Sequence, residues 1–293
     1  MKTATRAKRR LGRFLNESRV QAGVRLEDAA TELKTADSTV SRYESGQVMP
    51  VWATVLALLN LYGVTDEGRS RAVELWENAR DEPPSIRLPT GAPKSFRRLV
   101  NAEREAERIR IIERSVVPGL MQSESYARSL IAAGHRLHGA DAEAMDKFVA
   151  ARLARQRLLE ESGPVELHAV IDEAVIRRVV GGPAIMCEQL AHLLDIGAKP
   201  HVTIQVMPFR AGAYGTMNGS NIIVDYPEPD EVPGVYLEYP AGGSWVDNAS
   251  DVERFTTMFD DAARAALSPA DSAALLTRQI GAMDTDDQQH EVA

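Results

Sequence analysis

The stretch of this 293-residue chain whose residue types and spacing suit a definite chemistry is Leu26–Gly46, LEDAATELKTADSTVSRYESG. A small residue, Ala30, and an apolar one ten positions on, Val40, are what two short helices need to cross closely through a tight turn. With Val40 and Tyr43 turned inward, the second helix presents Asp37, Ser38, Thr39, Ser41 and Arg42 outward. Short polar side chains let a helix backbone approach base-pair edges. A guanidinium adds the two parallel hydrogen bonds that a guanine edge accepts. Asp37 is the odd member, since it repels phosphates and accepts only from a cytosine amino group.

Other chemistries lack their constellations. The chain contains no G-x-x-x-x-G-K-[ST], no G-x-S-x-G and no H-E-x-x-H. Asp172 and Glu173 are adjacent, so on a strand they face opposite sides and do not form a carboxylate pair. His168 with Asp172 lacks the lysine of a phospholipase-D-type motif, and His135 and His138 sit beside glycines as loop histidines. The single cysteine, Cys187, excludes an internal disulfide and a cysteine-based zinc cluster, and reads as an inert thiol on a helix. We therefore expect no catalytic residue, no metal, no cofactor and no enzymatic activity.

The elements that position the polar helix follow from apolar periodicity. From Lys8 to Gly23 one helix carries Leu11, Phe14, Leu15 and Val20. Arg25 to Leu33 forms the next, with Leu26, Ala29, Ala30 and Leu33 inward, and Asp37 to Ser45 the third. Val51–Tyr62 and Thr65–Arg80 complete five, the last offering Val73, Leu75 and Trp76 to a core. DEPPSIRLPTGAPK, residues 81–94, has four prolines and no apolar period, which marks a linker. Beyond it a helix is expected through Phe96, Leu99, Ala106 and Ile109, with a strand over Ile111–Val117. Further helices are expected at 123–133, 141–161, 183–196, 251–266 and 269–282. Strands are expected at 165–171, 201–207, 221–226, 234–238 and 244–246, with turns at Gly181-Gly182 and Gly242-Gly243. The predicted fold is multi-domain: an all-α helix-turn-helix headpiece over 1–80, the linker, then an α+β domain with a mixed sheet over 95–283, and a disordered acidic tail over 284–293.

The net charge of −8 conceals a split. Residues 1–50 hold ten Lys/Arg against six acids, so a basic end is carried on a body of charge −12. That distribution offers one end to a polyanion. The same apolar stripes would fit a helical bundle with no DNA role, and the basic end with the 26–46 segment decides against it. MKTATRAKRRLGRF has no apolar run behind its basic residues, so no secretory signal is expected, and with no span of roughly 20 apolar residues the protein is placed in the cytoplasm, off the membrane.

Over Arg10–Tyr62, including STVSRYESG, the chain resembles the phage-repressor-like, xenobiotic-response-element helix-turn-helix family. That resemblance implies that Ser38, Thr39 and Arg42 face the groove, with Asp37 and Ser41 beside them, and that Arg25, Ser45 and Gln47 meet phosphates. A basic arm of Arg6, Lys8, Arg9 and Arg10 adds phosphate contacts. The chain departs from the family in two places. Lys34 stands where a glycine with positive φ is usual, at about 1 kcal/mol, and Ala36 occupies the usual serine N-cap, which passes the cap to Asp37 or Ser38. Residues 96–280, with VPGLMQSESYAR, LHAVIDEAVIRRVVGGP and VTIQVMPFRAGAY, resemble a domain of unknown function found behind such headpieces in high-GC Gram-positive bacteria. It implies an antitoxin-like regulator, often encoded beside a small partner protein, and no known reaction. Two functions remain open: a homodimeric regulator of a double-stranded DNA operator controlled by a ligand or partner, or a protein that sequesters a small partner and autoregulates. Val117, Pro118, Gly119, Leu120, Phe209 and Tyr214 are the candidate contacts for that ligand or partner.

Overall fold

The computed structural model describes residues 6–80, 88, 92–135, 142–160, 164–215, 219–227, 232–239 and 242–291. Most of the expected linker (81–87 and 89–91), His138 and the last two residues of the expected tail lie outside them. The chain divides into two compact units, Met1–Ser85 and Ile86–Ala293.

The first unit is five helices: α1 (Arg6–Gln21), α2 (Leu26–Glu32), α3 (Asp37–Glu44), α4 (Trp52–Leu61) and α5 (Asp66–Arg80). Its core joins Leu11 and Leu15 of α1, Ala29 and Ala30 of α2, Val40 of α3, and Val55, Leu58 and Leu59 of α4. Val20, expected inward, is 61% exposed. At about 100° per residue it stands half a turn of helix away from Leu11. Val73 is likewise exposed, while Leu75 and Trp76 pack on the core, and the Trp76 indole donates to the Pro50 carbonyl at 2.9 Å.

The polar helix is locked to α1 at its C-terminal end. Glu44, buried on the inward face one turn beyond Val40, accepts from Arg19 Nε at 2.7 Å and Nη2 at 3.0 Å, and from Asn16 Nδ2 at 2.8 Å. Arg19 also donates to the Val24 carbonyl at 3.0 Å, tying in the loop that leads to α2. The helices touch backbone to backbone. A Cβ on Gly12 would stand 2.4 Å from the Glu44 carbonyl oxygen, and one on Gly46, at φ 69°, would stand 2.7 Å from the Arg9 nitrogen.

The second unit is built on a six-stranded mixed sheet of order β3-β2-β1-β4-β5-β6. Its strands are β1 (Arg108–Glu113), β2 (Glu166–Asp172), β3 (Val202–Met207), β4 (Asn221–Asp225), β5 (Gly234–Tyr239) and β6 (Gly242–Val246). β1, β2 and β3 are parallel to one another, β4 pairs antiparallel with β1, and β5 and β6 follow with each strand antiparallel to the one before. Helices are α6 (Lys94–Glu105), α7 (Glu124–His135), α8 (Ala142–Gln156), α9 (Glu173–Arg177), α10 (Pro183–Gly197), α11 (Ala249–Ala265) and α12 (Pro269–Glu291). One face of the sheet, with Ile109, Ile111, Leu167, Ile171 and Val206, packs on Leu99, Tyr126, Ile176, Leu190 and Leu276 from α6, α7, α9, α10 and α12. The other, with Ile112, Val170, Ile223 and Val235, packs on Val252, Phe259 and Ala262 of α11.

Four sequence expectations are corrected here. Ile109 lies on β1, because after Ala106 the period switches from helical to alternating, Arg108 and Arg110 against Ile109 and Ile111. Gly242 and Gly243 form β6 instead of a turn, and a Cβ on Gly243 would meet the Tyr236 ring at 2.5 Å. Asp172 and Glu173 do not alternate on a strand. Asp172 ends β2 and caps α9, its Oδ1 accepting from Ala174 N at 2.8 Å, while Glu173 begins α9. The backbone of α12 continues to Glu291, since no proline follows Pro269 to stop it.

Two buried ion pairs generate stability predictions. Arg155 and Glu103 are 5% and 0% exposed at the side chain and joined by bonds of 2.6 and 2.9 Å. Glu103→Ala strands a guanidinium in the second unit's core and should cost about 3–5 kcal/mol, read by urea denaturation. Glu44→Ala should cost the first unit about 3 kcal/mol, seen as loss of amide-exchange protection in α3 with the second unit unchanged. Full protection of α3 in that variant would contradict the role given to Glu44.

Candidate nucleic-acid interface

α3 turns the expected polar groups to one side. Asp37, Ser38, Ser41, Arg42 and Ser45 are exposed and spaced as one helical face, with Gln47 exposed just beyond. Thr39 is half-buried at the edge of that face, and its hydroxyl accepts from Arg42 Nη2 at 3.2 Å while Arg42 Nε donates to the Ser38 carbonyl at 3.1 Å. Thr39 thus steers the guanidinium more than it presents itself. The turn before α3 carries the expected strain, with Lys34 at φ 51°. The N-cap stays at Ala36, in extended conformation with no side-chain bond, and does not pass to Asp37 or Ser38.

Arg25 caps the entry to α2 and is exposed, paired with Asp28 through two bonds of 3.1 Å and with Glu27 at 3.5 Å. The Asp28 carboxyl is held below its ordinary range by the hydrogen bond from Arg25, and the guanidinium is raised by the same bond. A phosphate contact by Arg25 exchanges one exposed anion for another. The basic arm is not extended chain: Arg6, Lys8, Arg9 and Arg10 form the first turns of α1, as expected of strong helix formers with no proline among them. Only the backbone of Arg6 is described. No acidic residue occupies that first turn, so the positive end of the α1 dipole carries further positive charge. Through the Gly46 contact, Lys8 and Arg9 stand beside the segment holding Ser45 and Gln47. Sequence reasoning missed Asn16, Arg19 and Glu44, whose signal was the placement of Glu44 four residues after Val40, on the buried side of α3.

The candidate contacts of the second unit divide. Val117, Pro118 and Leu120 are buried, and Gly119 is half-buried. Val117 N donates to the Tyr126 hydroxyl at 3.1 Å, Gln122 Nε2 to the Val117 carbonyl at 2.6 Å and Gln156 Nε2 to the Gly119 carbonyl at 3.2 Å, so this loop is a latch between helices. Tyr214 is half-buried, its hydroxyl donating to Asp172 Oδ2 at 3.2 Å, and burial and Asp172 both push its pKa up. Of these candidates Phe209 is an exposed aromatic, at 57%, with the Arg177 guanidinium 5.9 Å from its ring. Asp172 ends β2 four residues after His168, about 13 Å away by strand rise, and the two form no pair. Among the described residues, no cluster of three His, Cys, Asp or Glu side chains is placed to hold a metal, and no helix is long and apolar enough to cross a membrane.

Comparison with known proteins places these two units. A helix-turn-helix domain model matches residues 10–72, covering α1 to α4 and the start of α5. A model described as a domain of unknown function, DUF5753, matches residues 96–278, the sheet and nearly all the helices around it. No curated protein matches the chain, and no solved structure does. With its helix-turn-helix domain preceding a domain that fills more than half its length, the chain belongs to the DUF5753 family.

Proposed function

We propose that this protein is a sequence-specific DNA-binding transcriptional regulator of the xenobiotic-response-element type, acting as a homodimer whose DUF5753 domain receives a small ligand or partner protein. The observation that carries the reading is the outward face of α3, where Asp37, Ser38, Ser41, Arg42 and Ser45 stand exposed on a helix fixed from behind by Glu44. Arg42 makes only exposed bonds to its own helix, which a guanine edge replaces without loss. Lys8, Arg9, Arg10 and Arg25 supply sequence-independent affinity through phosphates, and the charge of −12 beyond residue 50 keeps the remainder off DNA.

One small headpiece buries too little DNA for tight binding, so two are required, on half-sites one helical turn apart. The DUF5753 domain is far larger than dimerisation demands. A molecule bound there alters operator affinity by its differential affinity for the two arrangements of the dimer.

Arg42→Ala should weaken binding to a selected operator by about 1–3 kcal/mol and relax preference at one base pair. Arg10→Ala should weaken all sequences alike and lower the salt slope by about 1. Fluorescence anisotropy across a salt series separates the two effects. Unchanged operator affinity in Arg42→Ala removes α3 from base reading.

A further inference from the structure

A groove opens on the face of the second unit's sheet that α11 covers. Neighbouring strands lie about 4.8 Å apart, so six span roughly 24 Å, while a single helix is about 10 Å wide. α11 therefore leaves part of its face uncovered. A groove of about 700 Å³ lies there, walled by Thr256, Phe259 and Ala263 of α11 and by Arg108, Arg110 and His168 of the sheet. A second recess of about 280 Å³ shares Arg108 and His168 with it. The larger volume falls within the range usual for small-molecule sites, roughly 300–1,000 Å³.

The chemistry of the floor is specific. Arg110 is buried and binds Asp225 through bonds of 2.7 and 3.0 Å, and Arg108 binds the same carboxylate at 3.0 Å. Three guanidinium groups, of Arg108, Arg110 and Arg264, line the groove against two carboxylates, of Asp225 and Asp260, so one positive charge is left over. Arg264 also pairs with Asp261, whereas Arg108 is half exposed and bonds Asp225 through Nε, which leaves its terminal nitrogens for a ligand. Gln205 donates its amide to the Ala263 and Leu267 carbonyls, which leaves its oxygen to accept from His168 Nε2 at 2.7 Å. Burial, with Arg108 and Arg110 adding to it, holds the His168 pKa below the ordinary histidine value against that hydrogen bond, so the ring is a neutral wall. It stands edge-on to Phe259, centroids 4.9 Å apart.

We propose that this groove binds a flat organic monocarboxylate, its carboxylate on Arg108 and its planar body along Phe259, His168 and Ala263. This rests on reading DUF5753 as an effector-receiving domain and names the class of effector. The simplest molecule of the class is benzoate, to be titrated calorimetrically into the full-length protein beside neutral benzyl alcohol and cationic benzylamine. Saturable benzoate binding at least tenfold tighter than either control is expected. It should be lost tenfold or more in Arg108→Gln, whose side chain is half exposed, and in Ala263→Phe, which fills the groove. Absence of saturable benzoate binding, equal affinity for the three probes, or undiminished affinity in both variants overturns the proposal. Operator binding is measured on the same samples. If it persists while benzoate fails, the groove assignment alone falls, and if it is absent while benzoate binds, the DNA-binding reading falls instead.

Discussion

Glu44 accepts three hydrogen bonds from two residues of α1, and the orientation of the polar helix depends on them. An eight-residue helix has no stability of its own, since isolated helices shorter than about 12 residues are marginal in water. Val40 supplies apolar burial at one point, which fixes depth but leaves rotation about that point free. The Arg19–Glu44 bonds, with the Gly12 contact against the end of α3, supply the second point. Once α3 is pinned at two points on its inner side, its outer residues have no part in folding. Asp37, Ser38, Ser41 and Arg42 are free to be chosen for what they touch outside the protein. The same division explains the tolerance of strain at Lys34 and of an uncapped start at Ala36: the packing behind α3 supplies what the local sequence lacks.

In the second unit the burden is divided between the two faces of one sheet. Five helices close one face with apolar side chains, and Glu103 of α6 is paired in the core with Arg155 of α8. The other has one helix, and there the strands place arginines, a histidine and an aspartate among the apolar residues. Polar side chains on the sparsely covered face need not be desolvated fully. Arg110, the most buried of them, is matched by Asp225 on the adjoining strand and lies 5.6 Å from the Phe259 ring.

Much of this was legible in the sequence. The order of five helices, then a mixed sheet with helices, follows from apolar periods of 3.6 and 2, and the polar face of α3 from the spacing of Val40 and Tyr43. Positive φ at Lys34 was legible through the family resemblance, which has a glycine at that place in the turn between α2 and α3. What escaped was interaction at a distance. Glu44 and Arg19 look like surface charges until the crossing of α1 and α3 brings them together, 25 residues apart in the chain. Val117 and Leu120 looked like loop residues because Pro118-Gly119 marks a turn, and nothing local announces that Gln122 and Gln156 draw that turn into the core. The groove beside α11 is equally non-local, formed by residues from β1, β2, β4 and α11.

The central claim is that α3 reads duplex DNA from two copies of the chain at once. Selection of binding sites from random duplexes by the full-length protein, followed by hydroxyl-radical footprinting of the selected site, tests it most directly. The account predicts an enriched inverted repeat whose half-sites are centred about 34 Å apart, one helical turn, with protection on one side of the duplex. Failure to enrich any sequence, or enrichment of a single unrepeated site, would contradict it.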